Sequence, residues 1–96
     1  MQILVTYDVD TVSPYGQKRL RQVAKACQDY GQRVQNSVFE CEVTLVQLTL
    51  LKERLSQIID SERDSIRIYK LRNNPQLHTI ILGRNTSYDI NGVLLV

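Results

Sequence analysis

At 96 residues the chain is long enough for one small domain and too short for a catalytic domain joined to a separate binding domain. Hydrophobic residues at 43% and charged residues at 23% are ordinary globular composition and exclude a disordered chain. Twelve Lys and Arg against ten Asp and Glu leave +2, so a nucleic-acid partner has to be argued from local patches and not from a polybasic tail.

Residues 1–9 place Ile3, Val5, Tyr7 and Val9 on one side of an extended chain and Leu4, Thr6 and Asp8 on the other, which suggests a central strand. Ser13 and Pro14 then suit a helix start, and Leu20, Val23, Ala24 and Cys27 recur on one helical face up to about Tyr30, where Gly31 is expected in the left-handed C-terminal conformation. Residues 33–43 are rich in Val and Phe, with Asn36-Ser37 as a turn between two short strands. Thr44 and Gln47 form a capping-box pattern ahead of Leu48, Leu51, Leu55, Ile58 and Ile59, so a second helix is expected to about Ser61. A strand over 66–71 follows, and Asn73-Asn74-Pro75 breaks the chain.

Two helices with single apolar stripes have to share one face of a four-stranded antiparallel sheet, which is an α+β, ferredoxin-like βαββαβ sandwich. That core, residues 1–72, is expected to close at Leu71. Residues 73–96 form a linker and tail in which 78–83 and 90–96 read as further strands that extend a sheet edge, their own or a partner's. Exposed edges invite pairing, and a terminal strand is the usual element to exchange, so the tail reads as a device for a strand-exchanged homodimer.

Asp8 ends a Val- and Ile-rich strand, where a carboxylate either caps a turn or ligates a hard cation such as Mg²⁺. One Asp per chain is few ligands for that ion, unless a dimer axis brings two copies of Asp8 together. Lys18, Arg19, Arg21 and Lys25 put four cations into eight residues, either a solvated helix face or a stripe that tracks a phosphate backbone. Tyr7, Tyr30 and Phe39 are core or interface candidates, with Phe39 also placed to meet a nucleotide. His78 stands without a nucleophile arranged beside it, and the four glycines are too scattered for a phosphate loop. Cys27 and Cys41, with no CxxC pattern, read as buried free thiols. The apolar runs 3–5 and 93–96 are too short to span a bilayer and no signal peptide is evident, which points to the cytoplasm.

Taken together, VTYDV at 5–9, KRLRQVAKACQDYGQRVQNSVFEC at 18–41 and DSIRIYKL at 64–71 closely resemble the second CRISPR-associated protein family, the small subunit of the spacer-acquisition complex. The likeness runs continuously over residues 1–72, and IILGR at 80–84 agrees in kind. It implies a ferredoxin-like homodimer with terminal strands crossing to the partner, and a metal-binding, catalytic Asp at the end of the first strand, here Asp8. It also implies antiviral defence by a Mg²⁺-dependent endonuclease that hydrolyses phosphodiesters of RNA or double-stranded DNA. Tyr7, Arg19, Arg33, Ser37 and Phe39 fall on the family's signature positions, and Arg33 and Arg19 are expected to steady a phosphate. The other role implied is architectural: a mildly basic duplex-DNA platform for the integrase subunit, needing only backbone contacts. A ferredoxin-like dimer that senses a small molecule ranks last, because fold alone does not carry function.

Overall fold

The computed structural model describes residues 1–71 and 79–84. Its elements follow in the order β1 (Gln2–Asp8), α1 (Pro14–Gln28), β2 (Gly31–Gln35), β3 (Val38–Glu42), α2 (Leu45–Ile58), β4 (Ser65–Lys70) and β5 (Thr79–Gly83). Both helices begin where their capping residues dictate. Ser13 Oγ accepts from the Gly16 amide at 3.2 Å with Pro14 in the first turn, and the Thr44–Gln47 pair makes both reciprocal bonds of a capping box.

The strands pair antiparallel in the order β2-β3-β1-β4-β5, with β1 in the middle as its two-sided apolar pattern requires. Ile3, Val5 and Tyr7 are buried on the helix side together with Phe39, Cys41, Ile66 and Ile68. Val23, Ala26 and Cys27 of α1 and Leu48, Leu51 and Leu55 of α2 complete that core. The result is the ferredoxin-like sandwich, enlarged by one strand. By strand alternation, Leu4, Thr6 and Asp8 fall on the opposite sheet face, in line with Tyr69, Arg67 and Ser65 of β4.

Three expectations are corrected by this packing. The core continues past Leu71: β5 pairs with β4 in its own chain, and Ile80 and Leu82 pack against the helix-side cluster. Segments 72–78 and 90–96, the expected linker and second tail strand, lie outside the described residues. Next, α2 stops at Ile58, short of Ser61, because Ile59 turns extended at ψ 158° and the Asp60 amide bonds the Asp64 carboxylate instead of a helical carbonyl. Gly31 does not adopt a left-handed cap, for the positive-φ residues are Ser37 and Gly83. It opens β2 where a Cβ would collide with the Glu40 carbonyl and Cys41, so glycine is needed for close approach and not for its conformation.

Asp64 ties these elements together. Its carboxylate is fully buried and accepts from Arg19 Nε at 2.7 Å, from the Asp60 amide at 2.9 Å and from the Asp10 amide at 3.0 Å. Its carbonyl accepts from the Arg84 amide at 2.6 Å, in a contact that Gly83, at φ 87°, leaves room for. Burial alone would raise the Asp64 pKa, but the Arg19 guanidinium and the two amides outweigh it and hold the carboxyl below its ordinary value.

Replacing Asp64 by Ala should therefore cost about 3 kcal/mol in urea unfolding, since Arg19 loses its partner in a largely buried setting. The pH dependence has a definite sign. With the folded pKa below that of the unfolded chain, the stabilisation is complete above about pH 4 and fades as pH falls below it, and Asp64→Asn should flatten that part of the stability curve. Cys27 and Cys41 are both buried and free, and burial pushes their pKa values up to about 12 and about 11. Neither should react with a thiol reagent at pH 8 in the native protein, and both should react once it is unfolded.

Candidate nucleic-acid and metal site

Asp8 is the last residue of β1, opposite Ser65 of β4, and its side chain is 73% exposed. The preceding residues hold the strand in the sheet, while position 8 turns its carboxylate to the face the helices do not cover. Arg84, just beyond β5, reaches it: Nη2 lies 3.0 Å from Asp8 Oδ2, and the same guanidinium donates through Nε to the Arg63 carbonyl at 3.3 Å. The Arg84 backbone amide is the one bound to the Asp64 carbonyl, so the backbone at Asp64 also sets where this guanidinium starts.

Four of the expected site residues converge next to Asp8. Tyr7 and Phe39 stack at 6.2 Å between ring centroids, and the Arg33 guanidinium sits 5.2 Å over the Phe39 ring. The Tyr7 amide donates to the Ser37 carbonyl at 3.1 Å, and Ser37 takes a left-handed φ of 63° to make the turn. Burial raises the pKa of the Tyr7 hydroxyl, against the opposing pull of hydrogen bonds with Arg33 and Ser37. This cluster buttresses the end of β1. Phe39 is fully buried and Tyr7 nearly so, whereas the nucleic-acid role expected of them needs an exposed ring face.

The basic run of α1 divides in two. Arg19 turns inward to Asp64, with only 16% of its side chain exposed, and its Nη2 also reaches the Asp10 carbonyl at 3.5 Å. Its guanidinium is thus engaged by the buried carboxylate and not turned to the surface with its neighbours. Lys18, Arg21 and Lys25 are exposed and line an open groove of about 610 Å³ between α1 and α2. The far wall carries Arg54 of α2, a residue the sequence reading passes over. Its only signal in the sequence is a cation on the polar side of an amphipathic helix, which no local motif marks out.

For a divalent cation, Asp8 is the right donor in kind, a hard oxygen at an open strand end. Among the described residues no group of three or more His, Cys, Asp or Glu could hold a metal ion. Among the described residues, then, Asp8 has no second carboxylate, His or Cys grouped with it that could complete a cation site. No helix among the described residues is long and apolar enough to cross a membrane.

With this geometry in view, comparison with known proteins places the chain. The family model described as CRISPR associated protein Cas2 matches residues 1–78. A CRISPR-associated endonuclease Cas2 from Halalkalibacterium halodurans is 56% identical over 95 residues, covering 99% of each chain. A CRISPR-associated endoribonuclease Cas2 from Rhodospirillum rubrum is 56% identical over 94 residues, covering 98% of this chain and 99% of the relative. Among solved structures, Streptococcus pyogenes Cas2 superposes with a TM-score of 0.72 at 60% identity, covering 86% of this chain and all of the other. With a ferredoxin-like sheet whose first strand ends at Asp8, and with relatives that match it along nearly its whole length, the chain is a member of the CRISPR-associated protein Cas2 family.

Proposed function

We propose that this chain is a cytoplasmic CRISPR-adaptation nuclease, a homodimer that hydrolyses phosphodiester bonds of RNA or duplex DNA with Mg²⁺ at Asp8. The observation that carries the reading is the exposed Asp8 carboxylate on the helix-free sheet face, held by Arg84 and by nothing buried. Relatives named endonuclease and endoribonuclease support the activity. When bound, the cation polarises a phosphoryl oxygen and lowers the pKa of a water.

The protein's own residues orient the site. The Tyr7–Phe39–Arg33 cluster keeps the β1 terminus rigid, and Arg84 fixes one rotamer of Asp8. Because Arg84 neutralises Asp8 before any ion arrives, it also competes with a cation for that carboxylate. Placement supports the dimer: a second copy facing the side of the sheet that carries Leu4 and Ile81 would bring a second Asp8 to that side.

A second reading is architectural, a platform on which duplex DNA lies and reaches an integrase subunit. The observation in its favour is that Lys18, Arg21 and Lys25 are exposed on the helix layer, away from Asp8. Purified Asp8→Ala protein separates the two. It should lose metal-dependent cleavage by about 100-fold or more while dimer formation and duplex binding stay intact. Cleavage at the parent rate removes Asp8 from the chemistry and leaves the platform.

Strand exchange has its own test. Since β5 belongs to the sheet, the chain should be shortened after Arg84 and not before β5. Sedimentation should then show a markedly weaker dimer; an unchanged dimer would rule out exchange of the tail beyond that point.

A further inference from the structure

The groove between α1 and α2 is built from two helix stripes. Lys18, Arg21 and Lys25 lie at i, i+3 and i+7 of α1, and Arg54 and Gln57 at i and i+3 of α2, with Ile58 below. Residues at that spacing share a helix face, so four cations point toward one open space. The remaining members are amides and a single aliphatic side chain, which makes the groove wrong for an apolar ligand and right for a polyanion. From Lys18 to Lys25 the helix rises about 10 Å, a length over which one strand of a duplex presents about three phosphates.

One acid stands at the end of this array. Asp29, the C-cap of α1, accepts from Lys25 Nζ at 3.2 Å through Oδ1 and from Arg54 Nη1 at 2.7 Å through Oδ2. A single carboxylate thus bridges a cation from each helix, as a phosphate would, and these two hydrogen bonds hold its carboxyl below the usual carboxylate range. Asp29 and Arg54 are 40% and 41% exposed, and an ion pair so open to water is weak and exchangeable.

We propose that the α1–α2 groove seats the phosphodiester backbone of duplex DNA on Lys18, Arg21, Lys25 and Arg54, and that Asp29 is an internal phosphate mimic that the backbone displaces. This rests on the reading that the chain binds nucleic acid and adds to it a second helix and a built-in competitor. Asp29 then sets a threshold: a lone anion meets Lys25 and Arg54 already occupied, whereas a duplex engaging Lys18 and Arg21 as well displaces the carboxylate.

Binding of a labelled 30-base-pair duplex to the intact protein, followed by anisotropy over a series of KCl concentrations, tests this. Arg54→Gln should lower the slope of log affinity against log salt by about 0.9 per chain. Asp29→Asn should tighten binding by about threefold or more at fixed salt, where a purely structural Asp29 would leave it unchanged or weaker. Because Asp29 bridges the helices, thermal unfolding of each variant is read alongside, and Asp29→Glu, which keeps the charge, should bind as the parent does. If Lys18→Gln with Lys25→Gln lowers the slope while Arg54→Gln and Asp29→Asn change nothing, nucleic-acid binding stands and the two-helix groove is overturned. A parent protein that binds no duplex overturns both.

Discussion

The buried carboxylate of Asp64 is the constraint on which the rest of the molecule depends. An unpaired carboxylate in that position would be costly, so its oxygens recruit a guanidinium from α1 and amides from the β1–α1 and α2–β4 connections. Residues 10–19 and 60–64, far apart in sequence, are thereby fixed to each other at one end of the sheet. The same residue's carbonyl anchors the chain leaving β5. Hydrophobic packing supplies most of the stabilisation of the sandwich, but packing is non-directional, and it is this set of directed bonds that settles where the loops around Asp8 begin and end.

Around that anchor the charges separate by role. Arg19 is engaged by Asp64, and Arg33 by the Phe39 ring and the Tyr7 hydroxyl, so both guanidiniums serve the architecture of the sandwich. Lys18, Arg21, Lys25 and Arg54 remain on the surface of the helix layer. Asp8, by contrast, sits on the sheet face turned away from the helices. A ferredoxin-like sandwich has two unlike faces, and this one uses them differently, with a carboxylate on one and a cationic groove on the other. Such a division lets an exposed carboxylate and a cationic groove coexist on 96 residues without neutralising each other.

Arg84 and Asp29 illustrate a shared device. Each pairs with a functional group of opposite charge in a partly exposed setting, Arg84 with Asp8 and Asp29 with Lys25 and Arg54. Exposed pairs of this kind contribute little to stability, and they can be broken by a ligand that carries more charge.

Local chemistry was enough to read much of the fold from the chain. Caps at Ser13 and Thr44, the turn at Asn36-Ser37 and the alternation of β1 act over a few residues, and each appears where its pattern places it. The position of Asp8 at a strand end follows from the same alternation. The partners of the charges did not follow, because they are set by contacts across 45 residues for Arg19 with Asp64, 25 for Arg54 with Asp29 and 76 for Arg84 with Asp8. A charged side chain has no periodicity that names its partner, and a Phe on a half-buried strand looks the same whether its ring meets a base or the core. Only the folded arrangement, by bringing β5 beside β4 and α2 beside α1, decided which cations are tied to buried partners and which stay on the surface.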